Sequence, residues 1–338
     1  MSIPITEDMM RAVVVKQPGP VEALEIVEVP EPTPGEGEIA IDVEYAGVGF
    51  VDTLFRAGAF DFPVPFTPGI EVTGRVRSVG PGVTGFEPGR PVGACLNDFG
   101  RAARAGGYAE VAVAHATMAV PLPEDADRAR VAGALVNGVT AWMALHDLAR
   151  LRADEDVVVL GAGGGLGGTM CRMAAAHPAR KVIGVVGSEA KRPAAPAECT
   201  DVILAADLDD ALRRLGGGRG VDVVVDPVGG DLRRRAFEHL APFGRLLIVG
   251  DASGDDTALP GDGAWLNSRQ VIGLSVGGVA HLVPQSVATA SAAVIGLLHR
   301  GVLNEPVPAV VPLSQVADVH AALESRTAPP KTVLAVRE

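Results

Sequence analysis

A chain of 338 residues has the length for two domains and an ample core, and 48% hydrophobic residues make it globular rather than disordered. Its 29 Lys+Arg against 41 Asp+Glu leave a net charge of −12, which argues against nucleic acid or an anionic membrane as partner. No apolar run reaches the ~18 residues of a membrane span, and MSIPITEDMMR carries acids where a signal peptide needs bases, so a cytoplasmic protein is expected. Met10 to Val15, Glu22 to Val29 and Glu38 to Tyr45 read as strands, the last two parted by the rigid Pro30-Glu31-Pro32-Thr33-Pro34-Gly35 turn. Gly69 to Val79 and Arg90 to Leu96 alternate as strands around Gly80-Pro81-Gly82. This β-rich portion, to about Leu122, has no strand–helix alternation and predicts a small barrel-like domain.

The texture changes near Pro123. Asp125 to Leu135 and Val139 to Leu148 have helical spacing. Val157 to Leu160 is a buried strand, followed by a glycine run and a helix, Thr169 to Ala176. Lys181 to Val186 (strand), Asp201 to Leu204 (strand), Asp207 to Leu215 (helix), Val221 to Val225 (strand), Leu232 to Leu240 (helix), Gly244 to Gly250 (strand) and Val271 to Val276 (strand) follow. Such alternation predicts a doubly wound parallel sheet with right-handed crossovers. Pro284 to His299 and Val316 to Leu323 read as helices, Val307 to Val311 and Thr332 to Val336 as strands. Cys95, Cys171 and Cys199 lie far apart in sequence, an odd, scattered set that fits a reducing cytosol and no disulfide framework.

Strand, glycine turn and helix in that order are the context a dinucleotide-binding loop needs. The glycines allow a tight turn, a close approach of backbone to pyrophosphate and close packing of helix on strand. The helix N-terminus then faces the phosphates with free N–H groups. Gly161, Gly164 and Gly167 satisfy G-x-x-G-x-x-G, and Gly163, Gly165 and Gly168 satisfy G-x-G-x-x-G, so two registers are open. Gly161, Gly187, Asp226 and Gly250 end four predicted strands, where open α/β sheets bind ligands. An NAD-specific fold places an acid at the tip of the second strand. Here the tip is Gly187-Ser188, with Lys191 and Arg192 within a turn. A hydroxyl and cations suit an extra 2′-phosphate, which favours NADPH over NADH. The alternatives are that Lys191 and Arg192 form a solvated face, or that Glu189 binds the ribose.

Taken together, these motifs resemble the medium-chain dehydrogenase/reductase superfamily, and within it the zinc-independent quinone oxidoreductase branch. The resemblance spans nearly the whole chain. It rests on Ala46-Gly47-Val48-Gly49-Phe50-Val51-Asp52, Arg56-Ala57-Gly58, Pro68 to Val76, Val79 to Val83, Gly106-Gly107-Tyr108-Ala109-Glu110 and Asn137-Gly138-Val139-Thr140-Ala141. It continues through the glycine loop, Gly220 to Gly230, Gly250-Asp251-Ala252-Ser253-Gly254 and His320 to Arg326. It implies a GroES-like domain (residues 1–123), an inserted Rossmann NADP-binding domain (124–275) and a C-terminal segment (276–338) returning to the first. A homodimer through the Val271–Val276 edge strand is also implied. It assigns Asn137 and Thr140 to the nicotinamide, Gly161, Gly163, Gly164, Gly165, Leu166 and Gly167 to the pyrophosphate, Ser188 and Lys191 to the 2′-phosphate, and Gly187, Asp226, Val228, Gly250 and Ser253 to the rest of the NADPH cofactor.

Zinc-dependent relatives carry ligands where this chain has Gly49, Ile70 and Val136, and Asn97 to Gly107 lacks the four cysteines of a structural zinc lobe, so no metal is expected. Gly49 also stands where the quinone reductases usually have Asn, Leu54 and Phe60 where several have tyrosines, and Val158 and Arg172 where the branch has Leu and Gln. A less polar pocket suits a bulky apolar or aromatic carbonyl substrate. Without zinc, the acceptor is a quinone or a C=C bond conjugated to a carbonyl, whose developing oxyanion needs a donor. Tyr45 is one candidate donor, against the reading of a core tyrosine at a strand end. Asp52 and Arg56 read either as a structural ion pair or as substrate-site groups, and Glu71 as structural. The seven histidines, His146 and His320 among them, read as surface or helix residues. A non-catalytic NADPH-binding sensor on the same fold is the other functional expectation.

Overall fold

The computed structural model describes residues 8–60, 63–96, 106–177, 179–329 and 331–337. Most of the stretch expected to lack a zinc lobe, and the first seven residues, lie outside them. The chain forms two compact units. One comprises Met1–Val136, Val276–His299 and Pro306–Glu338, the other Asn137–Ser275 and Arg300–Glu305.

In the second unit six strands pair in parallel: Asp156–Leu160, Lys181–Val186, Asp201–Leu204, Val221–Asp226, Leu240–Ile248 and Gln270–Gly273. Counted along the chain, their order across the sheet is 3-2-1-4-5-6, that of the Rossmann fold. The apolar runs VVVL, VIGVV and VDVVV are buried on both sheet faces, which is why they do not alternate in polarity. Val158, Leu160, Ile183, Val185 and Val224 share one core with Leu208, Leu212 and Phe237 from the crossover helices Leu208–Leu215 and Gly230–Glu238. The last strand ends at Gly273, and Val276 begins the short helix Val276–Val279. The expected Val271–Val276 edge strand is therefore shorter than its apolar run, because Gly277 and Gly278 follow and the chain turns there.

In the first unit, the strand Glu38–Val48 pairs with Glu71–Val79, Val111–His115 and Thr332–Ala335, so that a C-terminal strand closes onto an N-terminal one. Ile39, Ile41, Val43, Val72, Val92 and Leu334 fill its interior. Three expectations change. The two helices expected at Asp125–Leu135 and Val139–Leu148 are one helix, Arg128–Trp142, continuing into a π-helical turn Met143–Leu148. Tyr45 is not at a strand end, since the strand runs on to Val48 and Tyr45 stands opposite Thr73 and Ala335. A helix, Phe50–Ala57, lies within the portion expected to be β-rich, where no helix was expected. Its start is fixed by the Asp52 carboxylate, which accepts the Gly49 N–H at 2.8 Å, and its end by Gly58 at φ +82°.

Candidate active site

The loops at the carboxyl ends of the parallel strands converge in the second unit. Gly161 follows Leu160 directly with φ +67°, a conformation that favours glycine, and a Cβ there would meet Val228 Cγ2 at 3.1 Å. The Gly164 N–H donates to the Gly161 carbonyl at 2.9 Å, and Gly164 caps the helix Gly165–Ala176 while facing solvent. Gly167 is buried so close to the turn that a Cβ would stand 2.2 Å from the Gly161 oxygen. Gly161, Gly164 and Gly167 thus take the three roles of turn, open approach and close packing, which resolves the register to G-x-x-G-x-x-G. The first-turn N–H groups of Gly165, Leu166 and Gly167 have no carbonyl one helical turn earlier to bond. This is a cradle for a phosphate. Gly163 lies between the loop and the next strand's segment, where a Cβ would meet the Lys191 carbonyl at 3.3 Å.

At the second strand's tip Gly187 and Ser188 are exposed, and Ser188 precedes the short 3-10 helix Glu189–Ala194. Arg192 is paired with Glu189 at 2.9 Å and also donates to the Val202 carbonyl, so neither it nor Glu189 is available to a ribose or phosphate without rearrangement. Lys191 is exposed and bonds to no other side chain among the described residues. At the fourth strand's end Asp226 is fully buried. Its carboxylate accepts the Val228 and Gly229 N–H groups, each at 2.8 Å, and the Arg233 guanidinium. Arg233 in turn donates to the Gly250 carbonyl at 3.0 Å. Asp226 therefore shapes the Val228 and Gly250 loops, with three of its carboxylate's acceptor sites taken by the protein. The Ser253 N–H bonds the Val228 carbonyl at 2.8 Å, while its hydroxyl is turned to Asp251 at 3.0 Å. Asn137 and Thr140 share a face of their helix, and Thr140 is buried.

The first unit holds the other candidates. Asp52 and Arg56, expected as an ion pair or substrate-site groups, are both fully buried and do not pair with each other. Asp52 accepts the Gly49 and Gly69 N–H groups at 2.8 and 3.2 Å, and Arg56 pairs with Glu324. Burial pushes the Asp52 carboxyl up to about 6, against the pull of the Gly49 bond. Tyr108, whose ring lies against Gly69, has its phenol raised by burial and by the Asp52 charge. His320 is on a helix, as expected, but fully buried 6.0 Å from Tyr108, and burial and the Arg56 charge hold it down to about 3. Glu71 is structural, as expected. It is buried, binds Lys331 at 2.6 Å and accepts the Val136 N–H at 2.7 Å. Tyr45 is half-buried and Phe60 is exposed against Phe55.

Because the folded Asp52 binds its proton more tightly than the unfolded one, its contribution to stability falls as pH rises from about 4 to about 6 and then levels off. The total is about 3 kcal/mol, from roughly two pKa units at 1.36 kcal/mol each. Asp52→Asn is expected to remove that decline, measured as urea-unfolding free energy at pH 4 and pH 6.5. An unchanged pH slope would contradict the assignment.

Two family models match the chain, the alcohol dehydrogenase GroES-like domain over residues 35–124 and zinc-binding dehydrogenase over residues 165–293. Quinone oxidoreductase of Rattus norvegicus is 33% identical over 250 residues, covering 72% of this chain and 74% of the rat protein. 2-Haloacrylate reductase of a Burkholderia species is 31% identical over 324 residues, 92% of this chain and 94% of that protein. The chain belongs to the medium-chain dehydrogenase/reductase superfamily, in its quinone oxidoreductase-like branch. The structure of Escherichia coli quinone oxidoreductase complexed with NADPH agrees, with a TM-score of 0.86 at 28% identity over 97% of this chain and 99% of that one. The first unit is accordingly a GroES-like domain and the second a Rossmann domain.

One member's feature departs from the second family description. Ile70 and Val136, at positions where zinc-dependent members of the superfamily carry ligands, lie in an apolar cluster with Val15, Phe55 and Phe66, and Gly49 has no side chain. Those residues supply no donor, so the set does not fit zinc. Among the described residues, no group of three His, Cys, Asp or Glu is placed to hold a metal ion. Arg233 and Lys331, which hold Asp226 and Glu71, were not signalled by any local motif. Each meets its partner only after the chain has folded.

Proposed function

We propose that this chain is a zinc-independent, NADPH-dependent oxidoreductase that passes hydride to a quinone or to a C=C bond conjugated with a carbonyl. The observation that carries this reading is the Gly161–Gly164–Gly167 loop at the strand ends, with the exposed Lys191 close to it. NADPH, when bound, supplies the hydride. Gly161, Gly164 and the first-turn amides of Gly165, Leu166 and Gly167 hold the pyrophosphate. Ser188 and Lys191 hold the 2′-phosphate, and Asn137 and Thr140 serve the nicotinamide end. The Val228 and Gly250 loops, fixed by the Asp226–Arg233 pair, line the rest. With apolar groups at Ile70 and Val136, the acceptor must be electron-poor before it binds, as quinones and conjugated alkenes are. The Burkholderia relative's named substrate, a 2-haloacrylate, is of the second kind.

A second reading, an NADPH-binding sensor, is favoured by one observation: Asp52 is fully buried and its carboxylate is taken up by the Gly49 and Gly69 N–H groups. Turnover separates the two. For the cofactor itself, Lys191→Ala is expected to weaken NADPH binding about tenfold, as loss of one charge-assisted bond would, and to leave NADH binding alone. Fluorescence titration with each dinucleotide measures this. An unchanged NADPH/NADH ratio would remove Lys191 from the site.

A further inference from the structure

Arg56, Tyr108 and His320 of the GroES-like domain, which the proposed reaction does not use, are each at most 1% exposed. All three nevertheless keep hydrogen-bonding atoms with no protein partner among the described residues: Nε and Nη1 of Arg56, the Tyr108 hydroxyl and both ring nitrogens of His320. A chain of contacts closes around them. Asp52 and Arg56 stand one turn apart on the helix Phe50–Ala57, and His320 and Glu324 one turn apart on the helix Val316–Glu324. Arg56 Nη2 bonds the Glu324 carboxylate and so joins the two helices. On the other side, Asp52 accepts the Gly69 N–H at 3.2 Å, and a Cβ at Gly69 would stand 2.5 Å from Tyr108 Cδ1. The Tyr108 and His320 rings then meet edge to face, with centroids 6.0 Å apart.

We propose that Arg56, Tyr108 and His320 line a site for ordered, buried water, which bridges the helices Phe50–Ala57 and Val316–Glu324 beside Gly69. Arg56 offers N–H donors at Nε and Nη1, Tyr108 an O–H and His320 one N–H, whereas the unused acceptors are the second His320 nitrogen and the Tyr108 oxygen. Donors outnumber acceptors, so pairing among these groups alone leaves N–H groups over. A buried donor left dry bears its full desolvation penalty, and such groups in folded proteins are met by ordered water or an ion. Charge decides between the two. Glu324 already matches the Arg56 charge, Asp52 adds a further carboxylate, and burial together with the Arg56 charge holds His320 down to about 3 and hence neutral. An added anion would be buried without a counter-charge. Water both accepts and donates, and a buried water makes about three hydrogen bonds to atoms of this kind. It therefore serves the Arg56 N–H groups and the His320 acceptor alike. Nothing in this inference depends on the NADPH reading.

The test is a high-resolution crystal structure of the full chain, a second crystal soaked in sodium bromide, and oxygen-17 magnetic relaxation dispersion in solution, which detects water held for longer than the protein takes to tumble. The expected result is water density about 2.7–3.2 Å from Arg56 Nε or Nη1 and from a His320 nitrogen, with no anomalous bromide peak there. His320→Phe should lose part of the long-lived water signal. Tyr108→Phe, which keeps the ring and removes only the hydroxyl, should lose the water bonded to that oxygen and keep the water at Arg56, and it stands in for His320→Phe should that variant not fold. A dry cluster whose N–H groups are paired to protein acceptors would overturn the proposal. So would a bromide peak beside Arg56, which would make the site one for a small anion, or a dispersion signal that neither variant reduces.

Discussion

Arg233→Ala is expected to destabilise the Rossmann domain by about 3–5 kcal/mol, the cost of leaving a buried charge without its partner. Asp226 is fully buried and is held by Arg233 and two loop N–H groups. Domains of ordinary stability hold about 5–15 kcal/mol in total, so this is a large share. The loss also frees the Gly250 carbonyl, and with it the loop that carries Ser253. Urea unfolding measures the effect. The double change Asp226→Leu with Arg233→Met should recover much of the stability, since an apolar pair of similar volume can replace a buried ion pair. It should not recover NADPH affinity, because the Val228 and Gly229 amides lose their acceptor. A near-native midpoint for Arg233→Ala would show that the pair does not hold these loops.

Gly167→Ala should cost about 1–3 kcal/mol, as overpacking does, although alanine is the better helix former by up to about 1 kcal/mol. Its Cβ would stand 2.2 Å from the Gly161 carbonyl oxygen, and that neighbour is backbone with no rotamer to change. The helix must move off the turn, and cofactor binding should fall with stability. Gly164→Ala is the contrasting case. Its Cβ would meet only the Gly161 oxygen at 3.4 Å, and the site faces solvent. Stability should hardly change, while the methyl group stands where a pyrophosphate approaches and raises the NADPH Kd. Thermal unfolding and fluorescence titration of the two variants separate the effects. If both variants lose stability equally, the register assigned to the loop is wrong.

The parallel sheet was legible because its inner strands are buried on both faces and therefore uninterrupted in hydrophobicity. Lys181–Val186 and Asp201–Leu204 have the bounds their composition predicts. The helix Phe50–Ala57 was less legible. It is short, with Val51 and Thr53 β-branched, and its signals are an Asp three residues past Gly49 and the closing Gly58. The roles of Asp52 and Arg56 turned on partners that no local pattern names: Gly69 across a turn for one, and Glu324 near the C-terminus for the other. Glu71 and Lys331 meet for the same reason, by sheet closure. The ambiguity between two glycine registers could be resolved only by φ and by contact distance.

The most direct measurement is NADPH consumption by chelator-treated protein, with an ortho-quinone and a conjugated enone as parallel acceptors and NADH as the comparison. The account predicts consumption that survives chelation, is faster with NADPH than with NADH, and occurs with one acceptor or both. Activity that disappears with the chelator and returns with zinc would contradict it, as would firm NADPH binding with no turnover of either acceptor.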